Sequence, residues 1–150
     1  MTAVVKEYKY TNYRDLLREL YILSKIESRR QANLIDKPPQ ELFQALKDNY
    51  HDGFPNLLGF YIGKRRGEMF MSDAGLNLGV WFSMLKEENQ RRKFARALLQ
   101  QMIVHLRTLH SLGYVHCDLK LGNLCADLLP SGKLAFTMID FGVSQRIIEH

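Results

Sequence analysis

The sequence predicts a single α+β domain, with short antiparallel strands followed by a helical part, and three observations carry that expectation. First, the chain opens on a β-branched run, Thr2-Ala3-Val4-Val5-Lys6, which reads as a strand. Second, two pairs of short apolar runs enclose turn residues. Leu57 to Ile62 and Met69 to Met71 flank Lys64-Arg65-Arg66-Gly67, and Leu124 to Ala126 and Phe136 to Ile139 flank Pro130-Ser131-Gly132-Lys133. Each pair reads as a hairpin. Third, Arg91 to Leu112 places Phe94, Leu98, Met102, Leu106 and Leu109 at helical spacing, and Gly113 follows where a helix C-cap is expected.

The remaining elements follow the same logic. Tyr13 to Ile26 spaces Leu16, Leu17, Leu20 and Leu23 as an amphipathic helix with Asn12 as its N-cap. Glu27 to Asp36 is polar and reads as a loop. Pro38-Pro39 then opens a second helix, expected from about Gln40 to Asp48, with Leu42, Phe43 and Leu46 on one face. Asp73-Ala74-Gly75 ends the first hairpin, and Leu78 to Leu85 begins a short helix.

Composition narrows the function classes. The chain has 150 residues, 46% hydrophobic and 25% charged, which are ordinary globular values. Its start lacks the charged and apolar regions of a signal peptide. No run of about 18 apolar residues suggests a membrane span. A protein of the cytoplasm or nucleus is therefore expected. The two cysteines, Cys117 and Cys125, read as reduced thiols rather than a disulfide or zinc pair. The net charge of +5 is spread out, with short clusters at Lys64-Arg65-Arg66 and Arg91-Arg92-Lys93. Clusters of that length read as solvated faces, so neither nucleic acid nor membrane is an expected partner.

Two carboxylates carry the chemistry. Asp118 follows Tyr114-Val115-His116 on a loop, with Lys120 and Asn123 two and five residues on. Asp140 ends the apolar run Phe136 to Ile139 and precedes Phe141-Gly142. One hairpin separates the two acids, so its two ends bring them side by side. Phosphoryl transfer needs such a set. One carboxylate receives the attacking hydroxyl, a second carboxylate and a neutral oxygen hold Mg²⁺, and a lysine meets the moving phosphoryl group. Asp118, Asp140, Asn123 and Lys120 supply one each. Taken singly, each has a plainer reading as a turn former or surface residue; the case rests on their joint arrangement.

The motifs His116-Cys117-Asp118-Leu119-Lys120-Leu121-Gly122-Asn123 and Asp140-Phe141-Gly142, after a helix ending in His110-Ser111-Leu112-Gly113, resemble the catalytic loop and metal-binding motif of protein kinases. The resemblance covers nearly the whole chain, except an insertion at about 27–52. It implies a protein-kinase-like fold: an N-lobe remnant over 1–71 with antiparallel strands and one helix, a hinge at 72–75, and a partial helical C-lobe over 76–150. Ala3-Val4-Val5-Lys6 is similar to the family's Val-Ala-Ile-Lys strand. Lys6 would then meet the α- and β-phosphates of ATP, and Glu19 would be its ion-pair partner. Met71 stands at the gatekeeper position, and backbone groups of Ser72 and Ala74 would meet adenine, with Cys125 also at the nucleotide. Asn123 and Asp140 would hold Mg²⁺, and Asp118 and Lys120 would be catalytic. Leu23, Phe60, His116 and Phe141 match the family's stacked regulatory residues. Lysine two residues after Asp118 points to the serine/threonine branch, so the substrate would be a protein hydroxyl.

The pattern also departs from the family. No Gly-rich loop precedes Lys6, and the sequence ends eight residues after Gly142, before an activation segment. Cys117 replaces the usual arginine, which removes a partner for a phosphorylated activation loop. Val4 replaces a smaller alanine and narrows the adenine site. These departures lead us to expect an incomplete catalytic domain with weak ATP·Mg²⁺ binding and little protein phosphorylation. They also suggest a partner protein covering the apolar face of the Arg91 to Leu112 helix. The alternative expectation is a catalytically inactive kinase-like module that binds nucleotide or another protein.

Overall fold

The computed structural model describes residues 2–35, 37–38, 40–41 and 51–148. Three strands, β1 (Ala3–Lys9), β2 (Leu57–Ile62) and β3 (Arg66–Ser72), form an antiparallel sheet in the order β1-β3-β2. In β1, Lys6 lies opposite Met69 and Tyr8 opposite Gly67. Helix α1 (Tyr13–Ile35) covers this sheet, with Leu16, Leu20, Ile22, Leu23 and Ile26 buried. Close approach is possible because Gly67 has no side chain; a Cβ there would collide with Leu16.

The chain then turns through Asp73 to Gly75. Gly75 adopts φ +85°, and a Cβ on it would run into the Ala126 carbonyl, so both conformation and space require glycine. A short strand β4 (Leu76–Asn77) leads into α2 (Leu78–Met84), capped by the Asn77 side chain, which accepts from the Val80 N–H at 3.1 Å. Helix α3 (Glu88–Ser111) ends at Gly113, whose φ is +87°. Strand β5 (Tyr114–Val115) follows. Strands β6 (Leu124–Leu128) and β7 (Leu134–Met138) form a hairpin to which β4 adds, and β8 (Gln145–Arg146) returns to pair with β5. Phe94, Met102 and Leu109 of α3 join Phe136 and Met138 of β7 in the same buried cluster as the α1 residues.

One expectation changes. The polar stretch from Glu27, expected as a loop to Asp36, is helical through Ile35. Polarity there marks a solvent-facing helix rather than its end, because no glycine or proline interrupts it before Pro38. Arg30, buried within it, also anchors the last turns. The helix expected over about Gln40 to Asp48 lies outside the described residues beyond Gln40 and Glu41. On α3, Leu99, Ile103 and Val104 are exposed. No helix among the described residues is long and apolar enough to cross a membrane.

One core feature is polar. His105 of α3 is 5% exposed, and neither ring nitrogen finds a hydrogen-bond partner among the described residues. Gly53 packs so close that a Cβ on it would strike the His105 ring, and the His51 ring lies 6.0 Å away. Burial, then the neighbouring His51, pushes the His105 pKa down to about 4; burial lowers His51 as well. A depressed histidine is neutral in the fold but takes a proton in the unfolded chain below its ordinary pKa of 6.5. Stability is therefore full above pH 6.5 and falls as the pH drops toward 4, by up to about 3 kcal/mol for His105 alone. Thermal melts between pH 7 and 4.5 are expected to show this acid limb, and His105→Leu to flatten it. An unchanged limb in that variant would refute the assignment.

Candidate nucleotide and phosphoryl-transfer site

Strand alternation puts Lys6 on the face of β1 that meets α1. There its Nζ lies 2.7 Å from Glu19 Oε2 and 3.0 Å from Asp140 Oδ1. Glu19 is fully buried. Burial by itself would push the Lys6 ammonium down, but Glu19 and then Asp140 outweigh it, and the net direction is up. Burial would likewise raise Asp140; its hydrogen bond and charge interaction with Lys6, helped by the Gly142 N–H, leave its pKa below the ordinary value. Both groups are thus charged around neutral pH. This ion pair joins a strand, a helix and a loop separated by up to 134 residues.

Glu19 does more than pair with Lys6. Its Oε2 also accepts from the Tyr8 hydroxyl, and its Oε1 accepts from the Phe141 N–H at 3.2 Å. From the same helix, Arg18 donates to the Gly142 carbonyl at 2.8 Å. Helix α1 therefore holds the Asp140-Phe141-Gly142 segment by two separate contacts.

The Asp118 loop is fixed from within. Asn123 is buried, and its Nδ2 donates at 2.9 Å both to the Asp118 carbonyl and to Asp118 Oδ2. Among the described residues that leaves the Asn123 Oδ1 as a free hard oxygen. Lys120 Nζ lies 3.3 Å from Asp118 Oδ2. The Ile139 N–H donates to the Asn123 carbonyl at 3.0 Å, which ties the loop to the residue before Asp140. His116 is the pivot. Its Nδ1 accepts from the Asp118 N–H at 3.3 Å, so its Nε2 carries the proton that goes to the Ile139 carbonyl at 2.9 Å. The Ser144 hydroxyl donates to the His116 carbonyl. Cys117 and Asp140 adopt φ +66° and +65°, a conformation uncommon for residues other than glycine, at the two points where the chain turns into the site.

The expected adenine side is built from β3 and the turn after it. Met71 is buried. The Ser72 N–H is already given to the Asn56 carbonyl at 2.9 Å, so of its backbone groups only the carbonyl remains to meet a ring. Among the described residues the Ala74 N–H has no hydrogen-bond partner. Cys125 is buried beneath this turn, its thiol pushed up by burial and then by the Asp73 carboxylate. Val4 is half-exposed at 42%.

One expected residue sits elsewhere. Phe60 is 59% exposed and does not stack with Leu23, His116 and Phe141, which are all buried. The register of β2 shifts between Leu57 and Gly59, and this irregularity resets the strand just before Phe60. Phe54 packs on Phe141 instead, with ring centroids 5.9 Å apart, opposite His116 at 5.1 Å. Sequence reasoning also missed Tyr8 and Arg18. Only Tyr8 carried a usable signal, standing two residues after Lys6 and hence on its face.

The donor set fits Mg²⁺ and phosphate. Asp140 and Asn123 offer hard oxygens, and Lys6 offers a fixed cation. Among the described residues no group of three or more His, Cys, Asp or Glu gathers as a metal cluster. A cation bound by two protein oxygens takes its other ligands from phosphates and water. No protein-family model matches the chain. A probable serine/threonine-protein kinase of Dictyostelium discoideum is 42% identical to it over 75 residues, covering 47% of this chain. The match spans 15% of that protein's length, so the chain is similar, in part, to one small portion of a kinase.

Proposed function

We propose that this chain carries the nucleotide and phosphoryl-transfer site of a protein serine/threonine kinase, in a kinase-like α+β arrangement with the turn at 72–75 between its two parts. The observation that carries the reading is the Lys6 ammonium held between Glu19 and Asp140 at 2.7 and 3.0 Å. When bound, ATP supplies the transferable phosphoryl group and Mg²⁺ offsets its charge. Lys6, fixed by Glu19, meets phosphate oxygens. Asp140 and the free oxygen of Asn123 hold the cation. Asp118, oriented by Asn123, accepts the proton of a protein hydroxyl, and Lys120 stands beside it to meet the phosphoryl oxygens. Ser72, Ala74, Met71 and Cys125 form the adenine side. The exposed Leu99, Ile103 and Val104 favour a protein partner over α3.

Titration with ATP in the presence and absence of Mg²⁺ tests the first half of the proposal. Binding is expected to be weak and Mg²⁺-dependent, and Lys6→Met is expected to weaken it about tenfold or more, since a charged contact to phosphate is lost. Equal binding by wild type and Lys6→Met would sink the reading.

A further inference from the structure

We propose that Tyr8 is a positioning residue of this site: its phenol holds Glu19 so that one carboxylate fixes both Lys6 and the Phe141 amide. The inference rests on the phosphoryl-transfer reading and adds to it a residue outside the motifs that carry it.

Tyr8 follows Lys6 by two residues, so both side chains leave the same face of β1. Lys6 is partly exposed, whereas Tyr8 is 6% exposed beneath α1. Opposite Tyr8 stands Gly67, whose missing side chain lets Leu16 settle onto the sheet and brings Glu19, one turn along α1, down to β1. The Tyr8 hydroxyl donates to Glu19 Oε2, the same oxygen that Lys6 uses. The Tyr8 ring lies under the ammonium, with Nζ 5.2 Å from its centroid.

Glu19 is fully buried, so its lone pairs must be met by protein donors. Among the described residues three donors meet them: Lys6 and Tyr8 on Oε2, and the Phe141 N–H on Oε1. The Lys6 ammonium can also turn toward Asp140, which lies 3.0 Å away on its other side. Among the described residues Tyr8 has no such competitor, and it is rigid apart from two torsions. It is therefore the donor that keeps the carboxylate plane aimed at Phe141 while Lys6 is shared. Burial, and next the Glu19 charge, raises the phenol's pKa, so it remains a protonated donor throughout the physiological range. Without the hydroxyl, Oε2 keeps a single mobile partner, and the carboxylate turns toward it and away from the Phe141 amide. Of the two contacts by which α1 holds the Asp140-Phe141-Gly142 segment, only that from Arg18 then remains.

Tyr8→Phe tests this, because it keeps the ring and removes one oxygen. Amide exchange by NMR is the primary readout. The Phe141 amide is expected to exchange about tenfold faster in Tyr8→Phe, while Leu23, on the same helix, changes little. ATP·Mg²⁺ affinity is expected to fall about three- to tenfold. Glu19→Gln is expected to speed the Phe141 amide as well, and the double variant to add little beyond either alone, because both act on one contact. An unchanged Phe141 rate in Tyr8→Phe would overturn the proposal. So would uniform acceleration of every amide including Leu23, which would make Tyr8 a packing residue. If Lys6→Met leaves nucleotide binding intact, the phosphoryl-transfer reading fails, and the exchange data still decide the role of Tyr8 on their own.

Discussion

Replacing Arg30 with alanine is expected to destabilise the fold by about 3–5 kcal/mol, the usual loss when one partner of a buried ion pair is removed. Arg30 is 8% exposed, and its guanidinium grips Asp52 with two parallel bonds, Nε and Nη2 each 2.6 Å from a carboxylate oxygen. It also donates to the carbonyls of Phe54 at 2.7 Å and Pro55 at 3.3 Å, and to Glu27 at 3.1 Å. Burial alone would lower its pKa, but Asp52 more than compensates, and the net direction is up. Alanine leaves Asp52, itself 15% exposed, with an uncompensated charge, and leaves two carbonyls without their donors. For a chain of this size the loss corresponds to a melting temperature lower by roughly 10 °C. Arg30→Lys is expected to restore only a small part, because an ammonium cannot span the fork. A fall of less than about 2 °C in Arg30→Ala would show that the pair is not what anchors the end of α1 to the segment entering β2.

Asp118→Asn and Asp140→Asn are expected to lower whatever phosphoryl transfer the wild type shows by at least about a hundredfold each, with little change in stability. The two act differently. On the proposed reading Asp140 presents an oxygen to the cation; it pairs with Lys6, and its carboxylate is 43% exposed, so its ion pair contributes little to folding once solvent screening is counted. Its amide variant should abolish the Mg²⁺ dependence of ATP binding. Asp118 is held by Asn123 and, on the proposed reading, meets the attacking hydroxyl rather than the nucleotide, so its variant should keep ATP·Mg²⁺ affinity and lose turnover alone. The size follows from what transfer requires: positioned groups and preorganised charge, each worth about two to three orders of magnitude when removed. A radiolabelled phosphate assay with a generic protein substrate, beside calorimetric ATP titration, measures both. Turnover that survives both substitutions would place the chemistry elsewhere. Mg²⁺-dependent ATP binding without turnover in the wild type would favour the inactive, nucleotide-binding alternative.

The hairpins, most of the helices and the Asp118–Asn123 and Asp140–Gly142 motifs were legible in the sequence because each depends on local spacing. Alternation marks a strand, a period near 3.6 marks a helix, and Asp118 to Asn123 form their contacts within six residues. Lys6, Glu19 and Asp140 were also legible, though only as motif members. What brings them together is the sheet register and the depth at which α1 sits, and Gly67 sets that depth by omission. Three features had no local signature. Arg30 reads as a solvated helix residue until Asp52 and the Phe54 carbonyl close around it. Phe60 has the right place in the motif, yet it is exposed, because a register irregularity in β2 cannot be seen in a string of letters. His105 falls on the apolar face of α3, but only the approach of Gly53 and His51 makes it a buried base. The sequence by itself determined most of the elements, though not how far α1 runs, and which chemical groups they carry. Only the tertiary structure decided which of those groups are desolvated and what faces them, because burial is set by neighbours distant in the chain, whose distance and orientation no local pattern encodes.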